Sequence, residues 1–264
     1  MADAGFDDAG FDAARFDAAA TAERLWAAWR SGERLAGLVD GPRDHAEGMA
    51  AQDALRALVG ETYGWKIAAT SAAGQAHVDV PGPLPGPLFT RFRYAPGDRL
   101  PSHDLHMRVA EAEFAFRLGA DVGPDDDVVA AVAALHLAVE LPDSRYVSYA
   151  AVGGPALIAD AACASRFVLG PEVPGWRELD LSTAATHLWI DGERAASGSG
   201  GAVLGDPRTA LAWLAAELPR YGHRLRAGDV VTTGTTTTPP AIGPGSAIRA
   251  DFGDLGSVAL SLAP

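Results

Sequence analysis

Two glutamates one residue apart, Glu111 and Glu113, lie in the alternating run Met107 to Leu118. Successive strand side chains point to opposite faces, so Glu111, Glu113, Ala115 and Arg117 share one face and Ala112, Phe114, Phe116 and Leu118 the other. A third acid, Glu140, ends the apolar run Ala134 to Leu141, where an unpaired charge is costly to bury. Three carboxylates on two strands suit a hard divalent cation. Magnesium or manganese fits better than zinc, because no cysteine pair or His-x3-His pattern supplies softer ligands. His103 and His106, just upstream, keep zinc open. The competing reading is structural, since alternation alone also puts acids on the wet face of a sheet.

Lys66 is the single lysine in the chain; the other 20 of its 21 basic residues are arginines. It sits in the apolar middle of Tyr63 to Thr70, a short strand candidate. Lysine is a compact point charge whose pKa moves on burial, which arginine's does not. Lys66 is therefore either aimed at a site or a snorkelling side chain at a strand end. Thr233 to Thr238 reads as a hydroxyl-lined loop over a ligand, with Gly234 permitting close backbone approach, and alternatively as a plain strand and turn. Cys163, the only cysteine, sits among small apolar residues and reads as a buried filler that cannot form an intrachain disulfide. No phosphate-binding Gly-rich loop ending in Lys-Ser/Thr and no Gly-x-Ser-x-Gly elbow is present; Gly198-Ser199-Gly200-Gly201 lacks the spacing.

These residues need a scaffold. With 264 residues, 48% of them hydrophobic, the chain can bury a substantial core. The 34 acids against 21 bases give a net charge of −13, which argues against nucleic acid and anionic membranes as partners. No run of eighteen apolar residues occurs, and the acidic, Ala-rich start lacks a signal-peptide pattern, so a cytoplasmic location is expected. Residues 1–20 carry repeated Phe-Asp units and read as a low-complexity extension. Residues 21–62 read as a helical cap. In it, Leu25, Trp26, Trp29, Leu35 and Leu38 recur at helical intervals over 18–38, with a break at Gly32, and a second helix runs from Asp44 to Gly60. Residues 63–264 read as a β-rich catalytic region that folds with the cap as one unit.

Within that region, Pro81 to Pro87 is expected to be irregular, because proline lacks the amide a ladder needs. Pro124 to Asp127 reads as the acidic first turn of a helix over 128–132. A short helix is expected over 155–164, a strand at 167–170, a hairpin within 183–204 turning at Asp191-Gly192, and a helix from Asp206-Pro207. Three strands close the chain. Helices at one end and strands over the rest point to α+β.

The sequence resembles the 2-keto-4-pentenoate hydratase and 4-oxalocrotonate decarboxylase group of the fumarylacetoacetate hydrolase superfamily, from about residue 20 to 262. The resemblance rests on Gly64 to Ser71, Ala110 to Phe116, Val139 to Arg145, and Thr233-Gly234-Thr235 leading to Ala250 to Val258. It implies a mixed β-sandwich roll with N-terminal helices, a homo-oligomer, and a Mg2+ or Mn2+ cofactor on Glu111, Glu113 and Glu140. It also implies an active-site role for Lys66, with Thr235 and Arg145 as substrate-binding residues for a small 2-oxo or 2-hydroxydienoic acid. The implied reaction is hydration of 2-hydroxy-2,4-dienoates to 4-hydroxy-2-oxo acids. Alternatives are decarboxylation of 4-oxalocrotonate-type dioic acids, acylpyruvate hydrolysis with His106 as base, and a 2-oxo-acid-binding homologue without turnover. The chain departs from the family pattern in two places: Pro81 to Pro87 carries no acid, and Asp160-Ala161-Ala162 lacks an asparagine.

Overall fold

The computed structural model describes residues 16–123 and 126–264. Helix α1, Ala18–Ser31, starts where the Asp17 carboxylate accepts from the Ala20 amide and stops at Gly32, whose left-handed backbone (φ 76°) no longer extends it. Helix α2, His45–Val59, is capped by the Asp44 side chain and ends at Gly60. The two helices pack on one another over Leu25, Trp29, Leu55 and Val59. The chain beyond Gly32 leaves the helical path, and Leu35 forms an isolated bridge to Tyr146.

The remaining elements follow in chain order: β1 Thr62–Ala68, α3 Ala72–His77, β2 Leu84–Phe89, β3 Arg93–Tyr94, β4 Arg99–Leu100, β5 Glu111–Leu118 and β6 Val132–Leu141. Then come α4 Gly154–Ala159, β7 Arg166–Glu172, β8 Ala185–Ile190, β9 Glu193–Ser199, α5 Pro207–Glu217, β10 Val230–Thr235, β11 Ala247–Asp251 and β12 Ser257–Leu262. Among the described residues these strands form two mixed sheets, one of seven strands in the order β2-β1-β10-β5-β6-β7-β3 and one of five, β4-β12-β11-β8-β9. Only the three residues Thr90–Phe92 separate β2, at one edge of the larger sheet, from β3 at the other. The sheet must therefore curl until its edges approach.

Its outer face packs against the smaller sheet, where Phe114 meets Phe252 at 5.2 Å and Gly170 makes room for Val258. Its inner face holds Lys66, Glu111, Glu113 and Glu140 toward one end, with Leu88, Ala115, Ala138, Phe167 and Val230 packed below them. Strand β5 is thus buried on both faces, and the wet-face reading of its acids does not hold.

Two expectations fail. Pro81 to Pro87 is not wholly irregular, because Leu84–Phe89 pairs with β1. Pro85 faces Ile67 and Pro87 faces Trp65, two residues apart, so both missing amides fall on the side away from β1. An edge strand tolerates proline there. The outward Pro85 carbonyl accepts instead from the buried Gln52 amide at 3.0 Å. The helix expected over 128–132 is one turn at Val128–Ala131 running straight into β6, because Val132 onward pairs with β5; Pro124 and Asp125 lie outside the described residues, as do the Phe-Asp repeats before Phe16.

Candidate active site

Strand register assembles the site. Glu111 stands directly opposite Glu140 across β5 and β6, and Glu113 lies two pairs further along, opposite Ala138. Lys66 stands opposite Thr232 in the parallel β1–β10 pair and opposite Gly86 in β2. One carboxylate oxygen from each of Glu111, Glu113 and Glu140 lies within 4.8 Å of the others. Glu113 and Glu140 are 0% exposed and Lys66 is 2% exposed, whereas Glu111 is half-buried. The Lys66 Nζ donates to the Ala162 carbonyl at 3.0 Å and lies 3.3 Å from Glu140 Oε1.

Glu113 is gripped from one side only. Its Oε2 accepts from the Thr232 hydroxyl and from the Gly234 amide at 3.0 Å. Gly234 has φ 98°, and a Cβ there would stand 2.0 Å from Thr70 Oγ1, so only glycine brings this amide to the carboxylate. Glu113 Oε1 and Glu140 Oε2 are buried with no hydrogen-bond partner among the described residues, and Glu140 Oε1 has only its ion-pair contact with Lys66.

Buried acceptors without donors are costly. Three ionised carboxylates and one ammonium also sum to a charge of −2, which a divalent cation cancels. Without such an ion the acids must hold protons. Burial, and then the Glu113 carboxylate, push Glu111 up to about 8 against the pull of Lys66. Burial also raises Glu113 and lifts Glu140 well above the ordinary carboxylate range, Lys66 again opposing. For Lys66, burial works to lower the ammonium's pKa, but Glu140, Glu111 and Glu113 together outweigh it and keep the group charged. Orphaned oxygens, charge balance and an all-oxygen donor set fit a hard divalent metal.

The family model described as fumarylacetoacetate (FAA) hydrolase C-terminal matches residues 42–262. The chain belongs to this family. Within the fumarylacetoacetate hydrolase family, it is 36% identical over 254 residues to 2-keto-4-pentenoate hydratase of Burkholderia vietnamiensis, covering 91% of this chain and 95% of the relative. It is 34% identical over 199 residues to 4-oxalocrotonate decarboxylase of Pseudomonas putida, covering 74% and 75%. The structure of 4-oxalocrotonate decarboxylase from Pseudomonas putida G7, complexed with magnesium and adipate, superposes with a TM-score of 0.84 at 28% identity, covering 93% of this chain and 97% of that one.

The remaining candidate residues divide. Thr235 faces Glu113 across β10 and β5, but its hydroxyl donates to the Thr237 carbonyl at 2.9 Å. Arg145 needs correction. It is fully buried, its guanidinium bonded to the Asp160 carboxylate and to the carbonyls of Asp160 and Ala164, and stacked 3.8 Å from the Trp29 ring centroid. None of its nitrogens is left for a substrate. His106 is exposed, its Nε2 at the Val147 carbonyl, and with His103 it lines a separate cavity of about 380 Å³ beside Trp29 and Arg34. Neither histidine joins the carboxylate cluster. Cys163 is buried, its thiol pushed up to about 12 by burial and then by Asp160.

Three members of the site lie outside the sequence-based set: Thr232, the Gly234 amide and the Ala162 carbonyl. Gly234 sits in the threonine-rich run already marked out, Thr233 to Thr238, and Thr232 immediately precedes it. The third is main chain and has no side-chain signature.

Proposed function

We propose that the protein is a metal-dependent hydratase that converts 2-hydroxy-2,4-dienoates of the 2-oxopent-4-enoate type into 4-hydroxy-2-oxo acids. The observation that carries this reading is the buried Lys66 facing three carboxylates in a chain similar to 2-keto-4-pentenoate hydratase over nearly its whole length. A divalent ion held by Glu111, Glu113 and Glu140, Mg2+ or Mn2+ in our reading, supplies a Lewis acid and an anchor for a bidentate 2-oxo acid. Thr232 and Gly234 hold Glu113 in its ligating orientation. Lys66 adds a fixed positive charge beside the enolate that develops on the substrate. Thr235, next to Glu113, is our candidate partner for the substrate carboxylate.

The chemistry balances in two stages. The proton of the 2-hydroxyl is lost and carbon 5 gains one, giving a 2-oxo-3-enoate. Water then adds across carbons 3 and 4, its hydroxyl going to carbon 4 and its proton to carbon 3. We expect a cytoplasmic homo-oligomer, with residues 21–62 as a cap on a catalytic region of 63–264.

One observation favours a second reading, decarboxylation of 4-oxalocrotonate-type dioic acids. Leu84, Gly86 and Leu88, the β2 residues that share the face of Lys66, carry no acid. Water addition calls for a group that accepts a proton from water, whereas loss of carbon dioxide needs only charge stabilisation and a later proton. Incubation with 2-hydroxypentadienoate and with 2-oxohex-3-enedioate, each with Mg2+ or Mn2+, separates the two by 4-hydroxy-2-oxo acid formation against carbon dioxide release. Turnover of neither substrate sinks both. Lys66→Arg should keep the fold and the metal yet lose more than about 100-fold in kcat, because a planar fork cannot stand in for a point charge; a wild-type rate in that variant would remove Lys66 from the mechanism.

A further inference from the structure

Among the described residues, three consecutive non-glycine residues adopt left-handed backbone: Ala161 (φ 55°), Ala162 (φ 48°) and Cys163 (φ 63°). All three are buried. In this conformation each Cβ crowds the following carbonyl, so single glycines or asparagines are usual and runs of other residues are rare. Such strain persists where the surroundings over-determine it, and it collects at functional sites.

The surroundings here grip the turn from three directions. Asp160, just before it, accepts from the Ser144 hydroxyl at 2.7 Å and the Arg145 amide at 3.0 Å, and pairs with the buried Arg145 guanidinium. Behind it, the Cys163 carbonyl accepts from the Asp143 amide at 2.9 Å. On the β2 side, Gly86 approaches so closely that a Cβ there would stand 2.3 Å from the Ala161 oxygen and 3.0 Å from the Ala162 Cβ. What the turn delivers inward is one group, the Ala162 carbonyl that accepts from Lys66 Nζ.

We propose that the left-handed turn Ala161–Cys163 aims Lys66 into the site, and that Arg145, Asp160 and Gly86 are positioning residues acting through that turn. A lysine has four rotatable bonds and three equivalent donors, so the Glu140 carboxylate alone does not fix its ammonium. A carbonyl locked on the opposite flank does, and only a backbone forced into this conformation presents one there. The inference rests on the reading of Lys66 as the charged group facing substrate.

The single lysine makes the test direct, because lysine labelled with 15N gives one side-chain ammonium resonance for the entire Mg2+-loaded chain. Glycine adopts this backbone without strain, so Ala162→Gly is the control and should keep the fold, the melting temperature and the ammonium exchange rate. In Gly86→Ala, which pushes the turn away, exchange of the ammonium protons with water should quicken at least tenfold, and kcat on 2-hydroxypentadienoate should fall at least fivefold with KM within twofold and Mg2+ still bound. Asp160→Asn, which loosens the turn through Arg145, should give the same ammonium response and carries the test if Gly86→Ala does not fold. An unchanged ammonium resonance and exchange rate in either folded variant overturns the proposal. A wild-type chain that turns over none of the substrates while its ammonium responds as described defeats the functional reading and leaves the aiming role standing.

Discussion

At the scale of residues, the site is defined as much by what holds the acids as by the acids themselves. Thr232 fixes Glu113 by donating its hydroxyl to the Oε2 carboxylate oxygen. Such an outer partner typically accounts for 10–100-fold in metal affinity. Thr232→Val should accordingly weaken Mn2+ binding by about that factor, read by calorimetric titration, with little change in fold; unaltered affinity would mean that the Gly234 amide suffices. Protonation follows from the same crowding. The ordinary glutamate value is 4.5, and in the metal-free chain Glu111 titrates at about 8 with Glu113 and Glu140 raised beside it. The folded state then binds more protons than the unfolded state between those values, so its stability is greatest below pH 4.5 as far as these groups are concerned and declines as pH rises toward 8. Melting temperatures measured with a chelator should fall across that window, and saturating Mg2+ should flatten the slope. A rise with pH in the chelated protein would contradict this account of the cluster.

At the scale of elements, local signals were legible and non-local ones were not. Helix α2 was bounded correctly because both its stops, Asp44 and Gly60, lie in the chain next to it. The acids of β5 and β6 were legible as a candidate cluster because alternation and one isolated charge are properties of short windows. Strand β2 was not, since whether proline interrupts a ladder depends on which side of the strand is paired, and that is decided by β1. The short helix expected after Asp127 gave way to β6 for the same reason. Arg145 misled because a motif records that an arginine is needed without recording whether it points at a ligand or at Asp160.

The outward face of β2 carries its own prediction. Gln52, fully buried on α2, donates to the carbonyls of Pro85 and Ile158 and so ties the helix to the edge strand and to α4. Gln52→Leu would leave two buried acceptors unpaired, at about 1–3 kcal/mol each. Urea unfolding should show a loss of about 2–6 kcal/mol, and a loss below about 1 would mean that water replaces the amide.

At the scale of the whole molecule, the smaller sheet packs on the outside of the curled one, at Phe114 and Gly170. The chain carries its charge of −13 mostly elsewhere, while its one lysine is kept for the interior. Among the described residues, no helix is long and apolar enough to cross a membrane.

The parallel pairing of β1 with β10 has a consequence in time. Lys66 lies in the first strand of the chain and its neighbour Thr232 in one of the last, so during synthesis the lysine strand waits, paired at most with β2, until nearly the whole polypeptide has appeared. Closing so long a loop comes late and slowly. We expect the ammonium to join the carboxylates of β5 and β6 only after the folding barrier has been crossed, because β1 and β10 pair across most of the chain. A bound divalent ion would then act on the exit from the native state and not on entry to it. In stopped-flow experiments Mg2+ should slow unfolding at least tenfold and leave the refolding rate within twofold; faster refolding with metal would mean that the acids gather before the curl closes.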